Sequence, residues 1–477
     1  MLGAKGDGVT NDHAAITSAM EYLNGAGTVR LNPRKTYVVD SNLTIPKGVT
    51  LNGGYTHPTF PGWNPLISWS LLGGIALNAA ASIILLGGAG LANCFIKRKG
   101  MALPAADASA FAGTAVRFAS RQDAQVAKDL FIVGFATAII VNDDRGGVTP
   151  QTSRYTIERI WFDCTAGIDV DTSYDTARIR DVHGWPFATI ETYSAGGSSN
   201  PALIMRAGSG FKVRGAADDL QIDGVLMYGF ATNFDFASTG AINIGRIWSD
   251  HPANQAGTRG ISFGNNVTGL SIANASVWGA ETCVVAEMAS TEHVKIGTLH
   301  TQMCATGIAL TSGTLLVGQH YCKTATRAIS FGSTNARVKI GQAYYEAITA
   351  EPFALPASFN YLNAAIQQLF WDGAAGAVLF GVDRGAVAGI ASSDPLNLPP
   401  AGDFVVVTGT TGFGQLTGGY AGRQVTLLFQ AALTVFNGSG SANSMRLAGN
   451  ANFTAAANST LTLRHTGSNW VEVCRAA

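Results

Sequence analysis

Along the middle of the chain, short apolar bursts alternate with polar residues and end in small-residue turns. The bursts recur at a nearly fixed distance. An isoleucine or valine marks the same point in each, at Ile157, Ile179, Ile222, Ile244, Ile272, Ile296, Val317 and Ile340, with gaps of 22, 43, 22, 28, 24, 21 and 23 residues. The gap of 43 holds either two repeats or one repeat with a long insertion. A second marker follows about eleven residues later, where a small-residue turn leads into another short strand. It reads Ala166-Gly-Ile-Asp-Val170, Thr232-Asn-Phe-Asp-Phe236, Arg259-Gly-Ile-Ser-Phe263, Thr306-Gly-Ile-Ala-Leu310 and Arg327-Ala-Ile-Ser-Phe331. Gly134-Phe-Ala-Thr137 returns unchanged as Gly229-Phe-Ala-Thr232.

A period near 22, built of three short alternating strands, describes one turn of a parallel β-helix, in which each coil pairs with the next about 4.8 Å away. A leucine-rich repeat of similar length needs a Leu/Asn signature that is absent here. The fold class expected is therefore all-β, with coils over residues 30–350 and insertions at 57–66, 142–153 and 192–215. Residues 1–29 form an N-terminal cap: Thr10 is placed to start a helix from Asn11 to about Leu23, which Asn24-Gly25 closes. Such a helix covers the open end of a solenoid. Pro395, Pro399 and Pro400 mark residues 351–401 as a linker region. Residues 402–477 carry alternating strands (Phe404–Val407, Arg423–Phe429, Leu433–Phe436, Thr460–Arg464, Trp470–Cys474) and read as a β-sandwich for trimerisation or distal binding.

Composition narrows the partners. Among 477 residues, 47% are apolar, which excludes disorder, and only 13% are charged. Lys plus Arg and Asp plus Glu both number 31 with no basic stripe, which argues against nucleic acid or an anionic membrane as partner. The uncharged run Pro65–Ile96 is long enough for a membrane span, yet its glycine-separated bursts suit buried strands better. The six cysteines form no CxxC pair and have no metal-ligand spacing with histidine, so neither a metal nor a cofactor is expected. Gly260-Ile-Ser-Phe-Gly264 matches a nucleophile elbow only on paper, because coil periodicity repeats it at Ala328-Ile-Ser-Phe-Gly332.

Stacking the coils by their markers brings candidate chemistry together. Positions four and six residues after each marker face outward. The first column is Trp161, His183, Leu226, Trp248, Ser276, His300, Tyr321 and Tyr344; the second is Asp163, Trp185, Tyr228, Asp250, Trp278, Gln302, Lys323 and Glu346. Seven of these sixteen places are Trp or Tyr, in a chain that is 9% aromatic, so the face is selected for something. Aromatic rings among Asp, His and Gln suit sugars, which offer apolar faces for stacking and hydroxyls for hydrogen bonds. A buried interface between subunits is the alternative. A further outward column holds Asp169, Glu191 and Asp235. Like charges in register repel, so the three carboxylates either pair with Arg178, Arg180 or Arg206, or supply a catalytic acid/base pair. Glycosidases need two carboxyl groups about 5–5.5 Å apart for retention or about 6.5–9.5 Å for inversion.

Gly3-Ala-Lys-Gly-Asp-Gly-Val-Thr-Asn-Asp-His-Ala-Ala-Ile16 resembles the opening motif of the pectate-lyase-like superfamily, most closely its bacteriophage tailspike branch. Ile83–Met101 also resembles early tailspike coils, and the C-terminal segment is similar to tailspike distal domains. Asn11 and His13 depart from the commoner acidic and Thr residues. The resemblance implies a right-handed helix and a homotrimeric spike on the virion tail that recognises a bacterial surface polysaccharide, O-antigen or capsule, and usually cleaves it. It also implies contact with other phage tail proteins through a missing or separate N-terminal segment. On this reading Glu191, Asp235 and Asp169 are the catalytic candidates of a polysaccharide depolymerase acting as a glycoside hydrolase. Trp161, Asp163, His183, Trp185, Tyr228, Trp248, Asp250, Trp278, His300 and Tyr321 are the binding candidates. Two rivals stay open: a receptor-binding spike without catalysis, and a lyase using His183, His300 or a Tyr as base.

Overall fold

The computed structural model describes residues 3–54, 73–119, 121–141, 152–189, 201–237, 240–289, 291–350, 352–355, 364–371, 387–399, 404–438 and 440–476. Two compact units divide the chain, Met1–Leu316 and Val317–Ala477. The first is a parallel β-helix, and its register is the one the markers lay down. Ile157 pairs with Ile179, Ile179 with Ile222, Ile222 with Ile244, Ile244 with Ile272 and Ile272 with Ile296. All six are at most 3% exposed. Each rung thus puts one branched apolar side chain directly on the next, and this inward stack specifies the register.

The direct pairing of Ile179 with Ile222 shows that the 43-residue gap is one coil with an insertion. That coil continues in the strand Arg206–Val213, where Phe211 pairs with Ile168 on one side and Phe234 on the other. Inside this corner Phe211, Phe234, Phe236 and Phe263 stack with ring centroids 6.0–6.4 Å apart. Two residues after the marker the chain turns sharply. Arg159 (φ 52°), Asp181 (φ 55°) and Gly224 (φ 67°) adopt left-handed backbone at matching points of three coils. Only the glycine does so without steric cost.

At the N-terminus the opening motif is a hydrogen-bonded loop. Asp7 Oδ1 accepts from the amides of Val9 (2.9 Å) and Thr10 (2.7 Å), which holds its pKa down at about 2. Buried Asp12 accepts from the amides of Lys5 (2.7 Å) and Gly6 (3.1 Å). The helix α1 runs His13–Tyr22 rather than from Asn11. Thr10 lies instead in the strand Asp7–Asn11, where its hydroxyl donates to Asp7 Oδ2, so it does not cap the helix. Ile16 and Met20, four residues apart, form the buried stripe of α1, which lies against the strands Gly27–Arg30 and Leu43–Ile45. Within the uncharged run the described part holds strands at Gly74–Leu77 and Ile83–Leu85 and most of Gly90–Arg98, separated by turns. No described helix is long and apolar enough to cross a membrane. The expected insertion 57–66 lies outside the described residues, as do 142–151 and 192–200 of the other two.

In the second unit coil pairing runs past residue 350: Ile340 pairs in parallel with Ile366, and Tyr345 with Trp371. Parallel rungs then recur at Val387 with Val405, Leu396 with Leu416 and Val405 with Leu427. The strands Thr460–His465 and Trp470–Ala476 close this segment with antiparallel pairing. The pairing in the segment that the sequence reads as a β-sandwich is therefore mixed, parallel and antiparallel. Alternation reports only which face a side chain takes, and parallel and antiparallel strands share it. Trp470 is fully buried in the core of this segment and donates its indole N–H to Leu416 O at 2.7 Å.

Candidate glycan-binding face

Both aromatic columns exist in the first unit. Trp161 pairs with His183, His183 with Leu226, Leu226 with Trp248, Trp248 with Ser276 and Ser276 with His300. In the second column Tyr228 pairs with Asp250, Asp250 with Trp278 and Trp278 with Gln302. The strands Gly240–Phe263 and Leu270–Glu287 thus set Trp248 and Trp278 on adjacent coils as diagonal neighbours, about 7–8 Å apart at the backbone.

What the side chains do with this register divides the candidates. An aromatic residue above another in one column meets it face to face, because coil spacing nearly equals ring-stacking distance. Trp185 stacks on Tyr228 with centroids 4.4 Å apart and an angle of 22°. In the second unit Tyr321 stacks on Tyr344 (4.6 Å, 6°) and Tyr344 on Phe370 (4.7 Å, 8°). These rings spend much of their faces on each other. Trp248 and Trp278 have non-aromatic column neighbours and are 37% and 36% exposed. The guanidinium of Arg246 sits 5.5 Å from the centre of the Trp248 ring. Arg246 is a residue the two-column reading missed, although its position two residues before Trp248 on the same outward face signals it.

Asp250 stands between Tyr228 and Trp278 in its column, and burial raises its pKa above the ordinary carboxylate range. His300 is exposed at the far end of the first column, and partial desolvation lowers its pKa. His183 is half-buried, edge-on to Trp185 (5.5 Å) and Phe187 (5.4 Å). Its Nε2 is buried without a hydrogen-bond partner among the described residues, and burial lowers its pKa to about 4. Trp161 is half-buried against the apolar cluster of Phe95, Phe131 and Phe187.

Asp163 corrects the expectation of an outward sugar ligand. It is 1% exposed, with Oδ1 accepting from Arg206 Nε at 2.7 Å and Oδ2 from Arg206 Nη2 at 3.0 Å and Ala188 N at 2.8 Å. Ala188, just after the strand Arg178–Gly184, and Arg206, at the start of the next strand, both close on this strand end, and strand periodicity carries no trace of that.

The carboxylate column is corrected too. Asp169 pairs with Lys212, and Lys212 with Asp235, so a lysine occupies the place assigned to Glu191. Glu191 itself lies outside the described residues. Asp169 is held by Arg214 Nε at 2.8 Å, and Asp235 accepts from Ser209 Oγ at 3.2 Å and faces Lys212 Nζ at 3.3 Å. The neutralising cations are Lys212 and Arg214, rather than Arg178, Arg180 or Arg206. Asp169 and Asp235 are two coils apart, about 10 Å by coil spacing. The sequence carried the signal: Gly210-Phe-Lys-Val213 repeats Gly167-Ile-Asp-Val170.

No protein-family model matches the chain, and no curated protein matches it. Solved structures similar to it include the following two. One is the phiAB6 tailspike, solved in complex with three-repeated oligosaccharides of Acinetobacter baumannii surface polysaccharide. It is 14% identical, over 68% of this chain and 47% of that one, with a TM-score of 0.30. The chain thus spans about half the length of that tailspike. The other is the A-module of the Azotobacter vinelandii mannuronan C-5 epimerase AlgE6, 14% identical over 78% of this chain and 98% of that one, with a TM-score of 0.32. The fold of the chain rests on its own coil register.

Proposed function

We propose that the protein binds a polysaccharide across the outward face of its middle coils, with Trp248 and Trp278 as stacking platforms and Asp250 as the polar group between them. One observation carries this reading: two tryptophans on adjacent coils remain exposed while a desolvated carboxylate shares the column of one of them. Exposed apolar rings cost hydration unless a ligand covers them, and a pyranose offers an apolar face of matching size. The partner is a bacterial surface polysaccharide, and the protein acts as a homotrimeric phage tailspike, as the opening motif's resemblance implies. Incubation with polysaccharides from candidate host bacteria, followed by sizing of the products and by binding isotherms, tests the reading. No binding by wild type to any host-range polysaccharide overturns it.

If the glycan is cut by hydrolysis, Asp250 is the group suited to donate the proton, since a raised pKa keeps a carboxyl protonated nearer neutrality. A non-catalytic receptor-binding role is the second reading. The ion pairing of Asp163 with Arg206 favours it, because the carboxylate that shares the column of Asp250 within the first unit is then already neutralised and is not free to act as base. Unchanged polymer size with intact binding selects this second reading.

A further inference from the structure

On the same coils, before the sharp turn, a second concavity of about 600 Å³ opens between two outward columns of the marker strand. One column is Arg178, Gln221, Asn243 and Ser271, each paired with the next. The other starts with Arg180 paired to Asp223 and then shrinks to Gly245 and Ala273. Gly245 and Ala273 keep this column shallow, and a Cβ on Gly245 would come within 2.4 Å of the Asp223 carboxylate. The Asp223 carboxylate lies over Gly245 and itself lines the trough, its Oδ1 accepting from the Arg246 amide at 2.9 Å.

The chemistry of this trough differs from that of the tryptophan face. No aromatic residue lines it. Arg178 is exposed and makes no ion pair among the described residues, while Arg180 is 54% exposed at its side chain and paired at one nitrogen with Glu158 Oε2 at 3.1 Å. The two guanidiniums are two residues apart on one face of a strand, about 7 Å at the backbone, with planar donors suited to a carboxylate. Beyond them lies a row of uncharged hydrogen-bonding groups at coil spacing. Ser271 Oγ donates to Asn243 Oδ1 at 3.1 Å, so the oxygen of that amide is engaged within the row. The four coils span about 14 Å.

We infer that this trough is a second saccharide site, selective for an oligosaccharide that carries carboxylates. The arginines take the carboxylate, and Gln221, Asn243 and Ser271 take hydroxyls along the chain. Binding here is led by charge and hydrogen bonds, whereas the tryptophan face binds by stacking, so the two sites stand or fall separately.

The test uses the full chain carrying Trp248→Ala and Trp278→Ala, titrated with a short oligogalacturonate and with a maltooligosaccharide of equal length. The oligogalacturonate is expected to bind this variant and the wild type alike, and more weakly as salt is raised. Adding Arg178→Ala should weaken it at least about tenfold, with Arg178→Lys restoring only part, because a point charge replaces a bidentate fork. The maltooligosaccharide should not bind the variant. Absence of oligogalacturonate binding to the tryptophan variant, or indifference to Arg178→Ala, overturns the site. Equal binding of the maltooligosaccharide overturns its selectivity, and equally tight binding of a polyglutamate peptide overturns its assignment to saccharides. Because each overturning outcome is read on the variant that lacks both tryptophans, none of them bears on the tryptophan face.

Discussion

Asp163 and Arg206 meet through hydrogen bonds of 2.7 and 3.0 Å, with both side chains 1% exposed. Arg206 also donates to Leu203 O at 3.2 Å and Thr189 Oγ1 at 3.1 Å, so one guanidinium ties the returning insertion to the end of an aromatic strand. Removing one partner strands a buried charge. Arg206→Ala should therefore cost about 3–5 kcal/mol, read as a lowered urea midpoint. The paired change Asp163→Leu with Arg206→Met should cost less than Arg206→Ala alone, since it removes both charges. A single-variant cost no larger than that of an exposed ion pair would show that the pair does not anchor the insertion.

Trp248→Ala and Trp278→Ala should each weaken polysaccharide binding by about 1–2 kcal/mol and leave the melting temperature nearly unchanged. Trp185→Ala and Tyr321→Ala should behave in the opposite way, losing stability through broken ring stacks. Isothermal titration and thermal melts on the four variants separate the two sets. Equal affinity losses in all four would mean that stacked and unstacked rings contribute alike.

Asp250→Asn should lower turnover by about a hundredfold or more if the protein hydrolyses its glycan, because general acid catalysis supplies roughly that factor. The same variant has a stability signature. Burial raises the pKa of Asp250, so ionisation costs folded stability as pH rises through that value, and below the ordinary carboxylate range both states are protonated. Asp250→Asn should thus melt higher than wild type at pH near 7 and match it near pH 3. A variant that melts lower at neutral pH would show that the carboxylate is stabilised by a partner.

His183 and His251 are both held near a pKa of about 4 by burial, against an ordinary 6.5. The unfolded chain takes up these protons first as pH falls, so stability is full above about 6.5 and declines toward 4. The loss reaches up to about 3 kcal/mol for each ring. Thermal melts at pH 7, 5.5 and 4 should show the decline, and His183→Phe should flatten it. His251 sits deeper, with Nε2 2.7 Å from Phe230 O and Nδ1 3.3 Å from Asn233 Nδ2, so its replacement would disturb a network as well.

The sequence by itself determined the coil, its period and its register from Ile157 to Ile179 and from Ile222 to Ile296, because each coil repeats the same inward apolar residue and a one-residue slip would turn every such residue outward. For the same reason it placed Trp248, Asp250 and Trp278 on one face. Periodicity is local, however, and it is silent about what lies over a strand. Whether Asp163 met sugar or Arg206 depended on where an insertion folded back, and whether Trp185 offered its ring depended on Tyr228 one coil away. Which carboxylates shared a column depended on how much of the 43-residue gap stayed in the coil. Those are contacts between residues far apart in the chain, set by the burial of charge and ring faces. Only the tertiary structure decides them.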